Sequence, residues 1–354
     1  MTYPRIIIDT NIIKNNVSEV VKLTKEYGID LAGVTKGYCA YPEIVQAYVD
    51  GGVKYLADSR MINLKRIAHF DIPKIMLRLP MISETDDIID YVDISLNSEL
   101  DTIKALSQAA LKKDKVHSII LMIDLGDLRE GYLNLDDLYS DLESIMELKG
   151  IRLLGIGSNL TCYGGVIPNS EILNRLNIIK QKIEDLYNIE LEIVSGGNSS
   201  SIHLLEDKEL EGINHLRIGE SFIFGTESAY GKQLKDTNSN AFTIEAEIIE
   251  IKDKPSVPTG KIGKDAFGKT PTFVDRGIRK RILCGIGKQD IDLDTLYPED
   301  NKLIILGGSS DHLILDCHNS DHDYKIGDIL KFKIHYVSLL RAMTSEYIDK
   351  VIIK

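Results

Sequence analysis

Eight short apolar runs succeed one another between residues 31 and 221, nearly all separated by helical stretches, and this alternation constrains the fold more than any other feature of the chain. The runs are LAGVT (31–35), KYLAD (54–58), KIMLRL (74–79), DISLN (93–97), IILMID (119–124), LLGIGS (153–158), LEIVSG (191–196) and LRIGES (216–221). Short apolar strands alternating with helices belong to α/β folds built on a parallel sheet. Eight βα units in roughly 200 residues is the count of a TIM (β/α)8 barrel. A doubly wound sheet could also use eight strands, but no G-x-G-x-x-G follows any early strand.

Ahead of the runs, a strand from Arg5 to Asp9 leads into an amphipathic helix with Ile13, Val17, Val20 and Val21 at helical spacing, and Gly28 is placed to end it. Ser98, three residues before Asp101, gives SELDTIKALSQAALKK a capping-box-like start. After about Lys232 the period changes. FTIEAEIIEI (242–251) and ILKFKIHY (329–336) alternate apolar and polar residues, with Gly and Pro between them, which predicts a mostly antiparallel β-domain after the barrel.

A chain of 354 residues, 43% of them hydrophobic, can bury a large core and build two domains. Its net charge of -12 argues against nucleic acid, whose phosphates need a basic surface. Cys39, Cys162, Cys284 and Cys317 form no CxxC pair and no zinc spacing with histidine, so no metal is expected and the thiols read as free ones in a reducing compartment. MTYPRIIIDTN reads as a strand rather than a signal peptide, and no apolar run approaches the ~20 residues of a spanning helix. The expectation is a cytoplasmic protein without membrane contact.

Barrel enzymes work at the C-terminal ends of their strands. There the chain offers Thr35-Lys36-Gly37, Asp58-Ser59-Arg60, Arg78, Asn97, the DLGDLREG loop with Asp124 and Arg129, Ser158-Asn159, the SGGNSSS loop (195–201), and Arg217 with Gly219. A lysine directly after an apolar strand is partly desolvated, which lowers its pKa and favours Schiff-base chemistry, although a solvated strand end reads the same way alone. The glycines and serines of SGGNSSS, at a helix start after strand seven, suit an anion such as phosphate, with a flexible loop as the plain alternative. Arg217 would complete that cradle.

With VTK at position 36, DLGDLREG, NLTCYGG, SGGNSSS, LRIGES followed by FG, VDRGIRKR and LRAMTSEY, the chain resembles the alanine-racemase-like, fold-type III pyridoxal-phosphate enzymes over essentially its whole length. The resemblance implies a barrel over 10–231, a β-domain of 1–9 plus 232–354, and a head-to-tail homodimer in which that domain serves the partner's active site. It implies a small amino-acid substrate and pyridoxal 5'-phosphate, carried by Lys36. Arg129 would lie by the cofactor's phenolic oxygen and the substrate carboxylate, and Arg217 by the pyridine nitrogen. The loop's Asn198 and Ser199, with backbone N–H groups of Gly219 and Glu220, would hold the phosphate. Ser310 and Asp311, in GGSSDHLILD, would meet the substrate carboxylate.

In that family racemisation uses an acid/base on each face of Cα. Lys36 would serve one face. Where a tyrosine is expected for the other, GKIGKDAFGKTP places Phe267, which leaves Asp265, flanked by Lys264 and Lys269, as the candidate. Two further departures are Asn159, where a histidine usually meets the cofactor ring, and the phosphate-binding tyrosine, for which Tyr38, Tyr41 and Tyr347 all remain open. A basic side chain needs a carboxylate at its distal end, and Asp127, Glu130 and Asp311 favour ornithine or lysine over alanine. The rival readings are a decarboxylase of a basic amino acid, which would set a glutamate where Arg217 stands, and a non-catalytic cofactor-carrying protein, which would have no need of the β-domain.

Overall fold

The computed structural model describes residues 2–206 and 209–354. After β1 (Arg5–Asp9), eight strands close into a parallel barrel: β2 (Asp30–Val34), β3 (Tyr55–Asp58), β4 (Lys74–Met76), β5 (Ile94–Asn97), β6 (His117–Met122), β7 (Ile151–Gly157), β8 (Ile193–Ser195) and β9 (His215–Ile218). β9 pairs back onto β2, with Ala32 opposite Arg217. These are the eight runs expected from the sequence, with shifted ends. LRIGES stops as a strand at Ile218 because Gly219 caps a short helix, Glu220–Phe224. KIMLRL leaves the sheet after Met76, and Leu77 N–H still reaches the Asp58 carbonyl at 2.8 Å.

The barrel interior is a packed core of Ala32, Val34, Ala57, Ile75, Ile94, Leu96, Ile120, Met122, Leu154 and Ile193. Small residues set the spacing. A Cβ on Gly155 would stand 2.0 Å from the Ile193 carbonyl, so only glycine lets β7 and β8 pair there. The first helix, Thr10–Lys25, buries Ile13, Val17 and Val20, and Gly28 follows in the left-handed conformation (φ +71°). The capping box expected at Ser98 does not form. The helix starts at Leu100, its N-cap is Glu99 in extended backbone, and no side chain caps it.

Contacts divide the chain into two units, and the barrel unit runs Thr10–Ser239, past the pattern change at residue 232. Hydrogen bonds explain the extra stretch. Gln233 and Thr237 side chains donate to the Gly225 carbonyl at 2.9 and 2.7 Å. Asn16 donates to the Asn238 carbonyl and accepts from its N–H, both at 2.8 Å.

The other unit holds β1 and residues 240–354. β10 (Phe242–Pro255), β11 (Ile278–Cys284), β12 (Leu296–Pro298), β13 (Ile304–Gly308), β14 (Leu313–Asp316) and β15 (Ile329–Ile334) form a sheet in the order β12-β15-β10-β11-β14-β13. All these pairings are antiparallel. β1 joins β10 antiparallel and β16 (Asp349–Ile353) parallel. The two period-two segments become β10 and β15, paired with Ile244 opposite Phe332, and both of those side chains are fully buried. Arg279 of VDRGIRKR pairs with Asp316 through two hydrogen bonds of 2.8 and 3.2 Å. Among the described residues, no helix is long and apolar enough to cross a membrane.

Candidate active site

Lys36 begins a 3-10 turn, Lys36–Tyr38, directly after β2. Behind it the Asp58 carboxylate is fully buried. It accepts from Thr35 Oγ1 at 2.5 Å, from the Arg60 N–H at 2.9 Å and from Asn63 Nδ2 at 3.1 Å. Lys36 keeps open surface at the barrel mouth, yet the surrounding protein strips much of its ammonium's hydration. Its pKa is therefore lowered, chiefly by burial; Cys162 opposes that fall, Arg129 deepens it, and Asp58 and Glu130 oppose it. Residues that end or follow three other strands, β3, β6 and β7, thus act on one amine.

DLGDLREG is a tight loop after β6. Asp124 Oδ1 accepts the N–H groups of Gly126 and Leu128 at 2.8 and 3.2 Å, with Gly126, Leu128 and Gly131 all at positive φ. The loop projects Arg129, which pairs with Glu130 through two hydrogen bonds. That pairing holds the guanidinium's pKa up, and Cys162 adds to it. Asp127 does something other than the sequence suggested. It is 1% exposed, and its carboxylate accepts the N–H groups of Tyr163 and Val166 at 3.0 and 3.3 Å, so it braces the NLTCYGG loop. A carboxylate spent on backbone donors is not open to a substrate's distal amine.

SGGNSSS forms a compact turn. Asn198 Oδ1 accepts the Ser200 N–H at 2.8 Å, while its Nδ2 donates to Asn159 Oδ1 at 3.1 Å and to the Leu160 carbonyl at 2.9 Å. Ser199 Oγ accepts the Ser221 N–H at 3.2 Å, tying this loop to the start of the Glu220–Phe224 helix. Gly219 lies close against β2, where a Cβ would stand 3.2 Å from Val34 Cβ. The Glu220 carboxyl is pushed up by burial and by Glu227. Ser158 Oγ, Asn159 Nδ2 and Ser221 Oγ are buried polar atoms without a partner among the described residues, and all three lie at the ends of β7 and β9.

Arg217 rises from β9, 4% exposed. Nη1 donates to Ser195 Oγ, and Nη2 to the Ser158 carbonyl at 2.7 Å. Burial lowers its pKa to about 10, with Glu130 and Cys162 opposing and Arg129 adding, so it remains a cation at neutral pH. Arg129 and Arg217 therefore share the neighbours Glu130 and Cys162 with Lys36.

In the β-domain, Asp265 lies on an exposed loop. Its Oδ1 accepts the N–H groups of Phe267 and Lys269, both at 2.9 Å, and these bonds hold its pKa below the usual carboxylate range, with help from Lys288. The charge of Lys269, one of the two lysines named beside Asp265 in the sequence, lowers that pKa further. Lys288 Nζ stands 4.0 Å from the centre of the Phe267 ring, and its N–H donates to the Ser309 carbonyl at 2.9 Å. Lys288 therefore joins the Asp265 loop to the turn bearing Ser310 and Asp311. In that turn His312 and Ser309 lower the Asp311 pKa to about 2. Of the three tyrosines, Tyr38 is sealed from solvent against Tyr48 with ring centres 5.4 Å apart, Tyr41 is half-buried, and Tyr347 is exposed in the β-domain.

Sequence reasoning missed Cys162 as a neighbour of Lys36 and Arg129, counting it only as a free thiol. Its place in NLTCYGG, directly after a strand end, was the available signal. It also missed the Ser195–His215 pair beneath Arg217, because cross-strand neighbours become visible only once the register is known.

Residues 8–227 match the family described as "Alanine racemase, N-terminal domain". The chain is 49% identical over 349 residues to an ornithine racemase of Acetoanaerobium sticklandii, covering 98% of this chain and 99% of that one. It is 41% identical over 354 residues to a lysine racemase of Thermotoga maritima, covering 99% of each. Its fold is similar to that of an alanine racemase of Bartonella henselae solved with covalently bound pyridoxal phosphate, with a TM-score of 0.75 at 17% identity over 100% of both chains. With a matched segment that spans the whole barrel and a relative of this identity along the full length, the chain belongs to the alanine racemase family.

Proposed function

We propose that the protein is a pyridoxal-phosphate-dependent racemase of basic amino acids, with ornithine as its preferred substrate. The observation that carries this reading is the desolvated Lys36 amine beside the Arg129 guanidinium, with Arg217 sharing the neighbours Glu130 and Cys162. The identity to ornithine and lysine racemases along the whole chain supports the substrate class.

The residues present fit the cofactor. Lys36 is a nucleophile with a lowered pKa. Buried Ser221 Oγ beside Ser199, with backbone N–H groups at Gly219 and Glu220, suits a phosphate, and Ser158 and Asn159 leave further polar atoms unpaired near the ring's expected place. When bound, pyridoxal phosphate supplies an electron sink that acidifies the substrate's Cα–H.

Everything else falls to the chain. Lys36 removes or returns the proton on one face of Cα, which its lowered pKa favours near neutral pH. Arg129 orients the substrate carboxylate as a charge-assisted donor. Arg217 carries only donors, so it would hold the cofactor's ring nitrogen unprotonated, which would weaken the electron sink and limit side reactions. The second face is assigned to the β-domain loop bearing Asp265, acting within a homodimer, with Ser310 and Asp311 near the substrate carboxylate. The free thiols of Cys162, Cys284 and Cys317 support a reducing, cytoplasmic setting.

Initial rates with D-ornithine, D-lysine and D-alanine under saturating cofactor test the substrate class. Ornithine should lead lysine, and alanine should trail by about 100-fold in kcat/KM, since an apolar methyl leaves the site's polar groups unpaired. An alanine preference would overturn the specificity.

A further inference from the structure

We propose that Ser195 and His215 form a buried two-residue relay that positions the Arg217 guanidinium. Register creates it. Ser195 ends β8 and His215 begins β9, and the two are paired neighbours in the barrel. The Gly196 N–H donates to the His215 carbonyl at 3.0 Å, and the Arg217 N–H to the Gly197 carbonyl at 3.0 Å, which locks that register. Side chains two apart on a strand share a face, so Arg217 emerges above His215 on the side where Ser195 lies.

Among the described residues Ser195 Oγ meets Arg217 Nη1 and His215 Nδ1 alone, so a single arrangement gives the serine's own proton an acceptor. A guanidinium has donors only, so Ser195 Oγ accepts from Arg217 Nη1. The serine's own proton then goes to His215 Nδ1, 2.7 Å away, which must be the unprotonated ring nitrogen. The imidazole is therefore neutral, with its proton on Nε2. That atom is buried without a hydrogen-bond partner among the described residues, and the Tyr55 ring crosses the imidazole at 77° with centres 5.4 Å apart. A protonated imidazole would carry a proton on Nδ1 as well, so Ser195 Oγ would accept from both neighbours and its own proton would lose its acceptor. Burial, then the charges of Arg217 and Lys54, hold the His215 pKa down at about 3, so the relay keeps one direction at any pH where the protein works.

The relay and the Ser158 carbonyl together occupy two of the guanidinium's N–H groups, one on each terminal nitrogen. Because Ser195 donates to one partner while accepting from the other, each bond polarises the next. Ser195 and His215 are positioning residues that act through Arg217. The functional consequence rests on the reading in which Arg217 meets the cofactor's ring nitrogen; the relay itself does not.

Two measurements on 15N-labelled protein and its loaded form test it. In wild type, His215 should show a neutral Nε2–H imidazole that does not titrate between pH 5 and 9. In Ser195→Ala, the Arg217 Nη protons should exchange with water about tenfold faster, and kcat should fall about tenfold with little change in KM, as expected for losing one hydrogen bond to a charged group. Ser195→Thr, which keeps the hydroxyl, should restore both. An Nδ1–H tautomer, a titrating His215, or unchanged guanidinium exchange in Ser195→Ala would overturn the relay. Faster exchange with unchanged kcat and unchanged absorption of bound cofactor would uphold the relay and overturn the ring-nitrogen role of Arg217.

Discussion

Two histidines show how single residues tie the barrel's stability to pH. His117 Nε2 lies 2.8 Å from Ser95 Oγ, and burial lowers its pKa to about 4; His215 behaves likewise at about 3. Both begin from an ordinary value of 6.5, so the unfolded chain binds protons that the folded chain refuses. Their contribution is complete above pH 6.5 and declines as pH falls through the window down to 4 and 3 respectively. From pH 7 to pH 5 each should cost the barrel about 2 kcal/mol. Denaturant unfolding of His117→Asn at both pH values should show a loss smaller than wild type's by that amount, and an equal loss would refute the account. Neither histidine stood out in the sequence, where each is an ordinary residue at the start of an apolar run. The lowered pKa of Lys36 was legible because its position after VT already implies partial desolvation. Asp127 misled because composition does not show where a carboxylate points, and here it points at backbone donors.

At the scale of elements, the parallel barrel was readable because each of its strands is an apolar run with helical sequence on most flanks, and β10 and β15 because they alternate with period two. Element ends were less readable. Glu99 rather than Ser98 is the N-cap of its helix, and residues 232–239 stay with the barrel through side-chain bonds to Gly225 and Asn16 that no periodicity encodes. The DLGDLREG loop depends on glycine at one place above all. Gly131 sits at φ +119°, and a Cβ there would lie 2.6 Å from the Asp124 N–H nitrogen. Gly131→Ala should destabilise the barrel by about 2 kcal/mol. It should also displace Arg129 and raise KM for the amino acid. Thermal unfolding and steady-state kinetics check both, and a variant with wild-type Tm and KM would show that the loop does not set Arg129.

For the whole molecule, the barrel supplies a lysine, two arginines and a nest of unpaired polar atoms at one end, while the β-domain presents Asp265, Phe267, Lys288 and the Ser309–His312 turn as a second cluster. Racemisation separates this assignment from decarboxylation or simple cofactor carriage, because it alone returns a proton to Cα with the opposite hand. The direct measurement incubates L-ornithine, and separately D-ornithine, with cofactor-loaded protein in deuterium oxide, and follows α-deuterium, chirality and diamine together. Both enantiomers should converge on a racemic, α-deuterated mixture with no diamine. Lys36→Ala should lose at least about 10³-fold in rate, within the range for a missing acid/base group. Diamine formation, or absence of α-exchange with every amino acid tried, would contradict the account.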